Sequence, residues 1–129
     1  MLLALGMFVF GIDTLAFDDL QRRRSYRHAT SPRIGTRDAT QFTGVGEETM
    51  GINGAVFHEI ADGRVSLDEL DRMAASGEAW SLVDGLGYVY GAFVITTLDE
   101  RSKSFFPDGT PRQIDFVLDL LRVDQEPQA

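Results

Sequence analysis

Two histidines and a scatter of carboxylates are all that this chain offers for acid–base or metal chemistry, because it contains no cysteine. The lack of thiols excludes a disulfide framework, a Cys-based zinc or iron–sulfur site and a thiol nucleophile, and it leaves the redox compartment open. A Ser/His/Asp site or a His-rich metal centre would have to use His28 or His58. His58 is followed by Glu59, and neighbours in an extended segment point to opposite faces, so neither can orient the other as a catalytic pair. His58 therefore reads as a core or interface histidine. His28 has no carboxylate at metal-ligand spacing beside it. Glu47 and Glu48 diverge in the same way and make no carboxylate dyad. Gly44-Val-Gly46-Glu47-Glu48 has glycines like those of a phosphate-binding loop but lacks its Lys-Ser/Thr, opens no predicted helix, and sets two carboxylates where the anion would lie. It reads as a turn or bulge between strands. Asp18-Asp19 and Asp68-Glu69-Asp71 suit helix-start or solvated positions. No catalytic, cofactor-binding or metal-ligating set is expected, and no cofactor.

One cluster is harder to dismiss. Arg22, Arg23, Arg24, Arg27, Arg33 and Arg37 lie within one stretch with no acid among them, and Tyr26 stands between them. From Asp38 onward there are 17 acids and 6 cations, a net charge of -11. An arginine run is either a solvated loop or a planar, fork-shaped contact surface. Nucleic acid could meet it, but the whole chain carries -8 and bulk electrostatics oppose stable nucleic-acid binding. The acidic remainder favours a protein partner, or another copy, docked head to tail. Arg22, Arg23, Arg24, Tyr26, Arg27, Arg33 and Arg37 are the candidate protein-interface residues.

The elements that must hold these residues follow from pattern. The chain has 129 residues, 43% hydrophobic and 25% charged, which is the make-up of one soluble globular domain. The apolar start through Phe10 has no cation before Arg22, no evident cleavage site and an early Asp13, so it reads as a buried strand rather than a signal or a membrane span. The protein is expected to be made in the cytoplasm. The arginine arm, at about 21–38, holds Pro32 and Gly35, and part of it should be an extended loop. From Gln41 to Ile60, Met50, Ile52, Val56, His58 and Ile60 share one strand face, with Asn53, Phe57 and Glu59 on the other.

Ser66 and Glu69 have capping-box spacing, with Val65 and Leu70 as a hydrophobic staple and Gly77 as a left-handed cap. They predict an amphipathic helix over 67–76. Beyond an Asp84-Gly85 turn, Tyr90, Val94 and Leu98 face away from Val89, Phe93 and Ile95. Asp108-Gly109 turns the chain into a last strand in which Ile114, Phe116, Leu118 and Leu120 alternate with Asp115, Val117, Asp119 and Leu121. The order of strands, one helix, then strands makes an α+β domain over 1–123, an antiparallel sheet closed or nearly closed against a helix, with 124–129 frayed.

Taken in order, Tyr26-Arg27, the loop from Pro32 to Arg37, Gln41-Phe-Thr-Gly-Val-Gly-Glu-Glu48, Ser66-Leu-Asp-Glu-Leu70 with Met73 and Gly77, Gly91-Ala-Phe-Val-Ile95 and Phe105-Phe-Pro-Asp-Gly-Thr-Pro-Arg-Gln-Ile-Asp-Phe116 carry a resemblance. So does the opening segment to Phe10. The chain resembles the tail protein U (gpU) family of contractile-tailed temperate phages, whose relatives in R-type tailocins are called the ripcord. It departs from the family at His28, where members are expected to carry Trp. The resemblance implies a structural, non-enzymatic protein of the virion at the baseplate end of the tail tube, packed around the hub beside a LysM-bearing partner and joined in a ring of copies. It implies no catalytic residue, no cofactor and no membrane. By analogy with tail-tube and hub proteins it implies a split antiparallel β-barrel with a flanking helix. The competing class is a small β-barrel binding module, or an unrecognised enzyme, of the host.

Overall fold

The computed structural model describes residues 3–11, 14–58 and 63–124. Its elements run β1 (Leu3–Leu5), β2 (Phe8–Phe10), β3 (Phe17–Ser31), β4 (Ala39–Phe57), α1 (Gly63–Ala75), β5 (Trp80–Asp84), β6 (Val89–Phe105) and β7 (Pro111–Arg122). All seven strands join one antiparallel sheet in the order β2-β1-β5-β6-β7-β4-β3. The expected antiparallel sheet with one helix is therefore present, with β2 and β3 as its end strands. The sheet is strongly rolled: the Phe10 and Phe116 rings stack at 6.5 Å, although three strands separate β2 from β7 in the pairing order. The roll encloses Leu3, Leu5, Phe10, Met50, Ile52, Phe93, Phe116, Leu118 and Leu120, and α1 adds Leu67, Leu70 and Met73 to the same core.

Several expectations change in detail. The apolar start forms two short strands rather than one. The chain reverses at Gly6 (φ +60°), where any Cβ would sit 2.6 Å from Trp80 Cε3, and Met7 is left exposed at the turn. In β4, Met50, Ile52 and Val56 are buried together as the alternation requires, with Phe57 outside. His58 lies beyond the strand end and is exposed, so it does not share that apolar face; Glu59 and Ile60 lie outside the described residues.

The helix begins at Gly63, not after Ser66, and Ser66 is buried within its second turn while Val65 is exposed. A Cβ on Gly63 would fall 2.4 Å from Val56 Cγ1, so the first turn lies with its backbone against β4. That tertiary contact overrides the local capping-box spacing. Gly77 does end the helix, at φ +71°, with its N–H donating to the Ala74 carbonyl at 3.2 Å.

In β6 a bulge at Thr96 resets the alternation. Ile95 stands opposite Leu120 and Leu98 opposite Leu118, so Leu98 shares the core face with Ile95 instead of opposing it.

Candidate functional site: the arginine arm and its root

The arginine stretch is chiefly strand. Arg22, Arg23, Arg24, Tyr26 and Arg27 lie in β3, and only residues 32–38, with Arg33 and Arg37, form the connecting loop. The part read as extended loop is therefore limited to that segment. β4 pairs with β7 over Thr49–Phe57, whereas β3 pairs with β4 out to Ser31↔Ala39. Residues 24–47 consequently run past the sheet as a two-stranded ribbon. A bulge on the β4 side at Gly46-Glu47 falls in the Gly44–Glu48 segment expected to hold a turn or bulge between strands, here within one strand, and a second bulge at Thr43 lies just before it. A Cβ at Gly46 would meet Ser25 Oγ at 2.6 Å, so glycine lets the two backbones close there.

The ribbon has an aromatic face. Tyr26 stands opposite Val45 and His28 opposite Phe42, and the His28 and Phe42 rings meet edge to face at 5.3 Å. Because β3 alternates without interruption here, Tyr26 and His28 continue the face that carries Leu20 and Arg22 toward the core. Tyr26, Phe42 and Val45 are nevertheless more than half exposed, and Arg23, Arg24, Arg27, Arg33 and Arg37 are all exposed.

At the root, the ribbon is fixed by a carboxylate. Glu48 follows the inward alternation of Met50 and Ile52 and is only 8% exposed. Its Oε2 accepts from Arg22 Nε at 2.8 Å and lies 2.7 Å from Arg22 Nη2, while Oε1 accepts from Arg122 Nη1 at 3.1 Å. Burial pushes this carboxyl up, but the hydrogen bonds and charges of Arg22 and Arg122 outweigh it and hold it below the ordinary Glu value. Arg22 also donates to the Tyr88 hydroxyl at 3.4 Å and lies 5.3 Å from the Tyr90 ring centre; the Tyr88 bond is the largest contribution to raising its pKa. Arg122 crosses Gly91, where a Cβ would be 2.6 Å from its Nε. Of the candidate interface residues, Arg22 is thus committed to the fold. Glu47 and Glu48 diverge as expected, with Glu47 exposed and Glu48 buried, and Glu48, Arg122, Tyr88 and Tyr90 are the residues that sequence reasoning missed. The available signal was an acid in phase with two buried apolar residues, since a buried charge requires a partner.

The two histidines are held by aromatic contacts. His58 meets Phe106 at 5.5 Å, and Arg112 lies over the same ring at 4.7 Å.

The sequence matches the family model described as Phage P2 GpU over residues 6–125, and the chain belongs to this family of phage tail structural proteins. It is 32% identical over 120 residues to a probable tape measure protein of Halomonas phage phiHAP-1; the match takes in 92% of this chain and 14% of that protein's length. A chain from the tail of an empty GTA particle, solved with C6 symmetry, shares the fold at a TM-score of 0.52 and 13% identity, over 88% of this chain and 82% of that one.

Proposed function

We propose that this chain is a non-enzymatic building block of a contractile particle, placed at the baseplate end of the tail tube. There it packs around the hub beside the tube and a LysM-bearing protein, in a ring of copies. One observation carries the reading: a 24–47 ribbon rich in exposed arginine and aromatic side chains projects from the sheet and buries almost nothing within its own chain. Ordering such a segment costs conformational entropy that a partner surface can offset. Family membership and the fold shared with a symmetric tail particle support the same assignment. On this reading residues 1–123 act as one tail-tube-like domain, a split barrel whose edges β2 and β3 face neighbours, and the arm is its docking element.

The test replaces the native gene in a particle-producing strain with an Arg23→Gln, Arg24→Gln, Arg27→Gln variant. Arg22 is left intact because it anchors Glu48. The expected outcome is a folded, soluble protein and a sharp drop in assembled tails, with tagged wild-type chain found at the baseplate end. Normal particle yield, or a tag absent from particles, overturns the assignment. So does a substrate-dependent turnover of the purified chain that is lost in His58→Ala.

A further inference from the structure

On the outer face of the sheet, β4 and β7 form a trough of about 750 Å³. Its floor is made of small side chains, Asn53, Gly54 and Ala55, with Phe57 and Val117 about 40% exposed beside them. Asp18 and Asp115 line it, and the register sets Asp19, Asp99 and Asp119 on the same face, opposite Asn53, Val117 and Gly51 respectively. The cations of this face are Arg101, opposite Asp115, Lys103, which lies 2.9 Å from Asp115, and Arg23 near the arm root. The trough is thus acid-rimmed with an apolar floor. The arm is its complement: Arg24, Arg27, Arg33 and Arg37, all exposed, against Asp38 and Glu47, with Tyr26 and Phe42 exposed among them.

We propose that the arm of one copy seats in the β4/β7 trough of a second copy. The inference rests on the assembly role proposed above and names its contact. A chain cannot make this contact with itself, because its ribbon extends the same sheet and its aromatic face lies on the core side, opposite to the trough. Both halves of the complementarity are present in every copy, so a second copy is the occupant. Arm and trough are unlike surfaces, and contacts of that kind add copies head to tail and close into rings when the rotation allows. Arg24, which shares the strand face of Tyr26, and the loop residues Arg33 and Arg37 supply attraction and register at the rim, while the aromatic side chains fill the small-residue floor.

The absence of native cysteine allows a direct test. Tyr26→Cys protein is mixed with Ala55→Cys protein and oxidised, and in parallel with Glu78→Cys protein, whose exposed site lies beyond the helix. A second pair, Phe42→Cys with Val117→Cys, guards against a fault of either first variant, and thermal melting of each variant establishes folding. The expected result is a disulfide-linked heterodimer from the 26/55 and 42/117 mixtures, severalfold above the 26/78 control, and a yield that falls between about 50 mM and about 500 mM NaCl as the charges are screened. Yields no higher than the control in both trough pairs overturn the proposal. If the arm variants still fail to form tails in that case, the tail role stands and a different protein receives the arm.

Discussion

Replacing Glu48 by Gln removes one negative charge from beneath two guanidinium groups with almost no change in volume. The Gln oxygen can still accept from one arginine, but its NH2 group then faces the donors of the other. Breaking a fully buried ion pair costs about 3–5 kcal/mol, and a hydrogen bond to a charged group contributes about 1.5–3 kcal/mol. The Arg22 and Arg122 side chains are 19% and 42% exposed, so each keeps part of its hydration and the upper range does not apply. The expected loss is about 2–3 kcal/mol, or about 8–12 °C in melting temperature for a chain of this size.

The pH dependence carries a sign. A carboxyl held below its ordinary value stabilises the fold above that value and loses the contribution as it protonates, so wild-type stability should fall as pH drops below about 4.5. The Gln variant should show a shallower acid slope. Urea denaturation at pH 7 and across the acid range measures both, with Glu47→Gln as the exposed control expected within about 0.5 kcal/mol of wild type. A Glu48→Gln loss no larger than that of Glu47→Gln, or an unchanged acid slope, would refute the claim that this cluster fixes the arm root.

Leu70 is fully buried on the helix, so Leu70→Ala should cost about 2–5 kcal/mol in denaturant titration, and an unchanged midpoint would mean that α1 does not cover the core. Gly54→Ala should be severe, because its Cβ would lie 2.2 Å from the Ala16 carbonyl oxygen and a backbone atom cannot yield cheaply. A melting temperature within a few degrees of wild type would show that the segment before β3 does not cross β4 there. Arg27→Gln should leave the stability within about 0.5 kcal/mol of wild type, since its guanidinium is exposed, and a larger loss by calorimetry would mean that the arm folds back on its own body.

The legible parts of this sequence are those where burial writes a period into it. The last strand could be read because Ile114, Phe116, Leu118 and Leu120 are inward in register with β4, and the helix end because Gly77 takes a left-handed conformation. The arm could not be read as strand for a physical reason. Both faces of its outer part are solvated, so nothing selects apolar residues at every second position, and its pairing rests on backbone hydrogen bonds that leave no mark in side-chain type. The bulge at Thr96 was hidden because it depends on the register against Leu120 and Leu118 of β7, and the early start of α1 because it depends on how closely the Gly63 backbone meets Val56 and the distant Ile114.

The Glu48 cluster shows the same limit where it matters most for function. Arg22 is 26 and Arg122 is 74 positions from Glu48, so spacing alone could not join them. Yet their union divides the arginine stretch into two parts with different work. Arg22 is half-buried, paired with Glu48 and tied to Tyr88, which fastens the base of the ribbon to the body of the sheet. Beyond it, from Arg23 outward, the cations stay in water, where each retains its full capacity to meet a carboxylate on another surface. A ribbon anchored at its base loses less orientational freedom on docking than a tethered loop, so more of the attraction survives as affinity. Loosening the root through Glu48→Gln should therefore weaken copy-to-copy association even though the arginines of the outer arm are untouched. Analytical ultracentrifugation at low salt, below the melting temperature of the variant, measures this directly, and equal association of the folded variant and wild type would show that the root does not orient the arm.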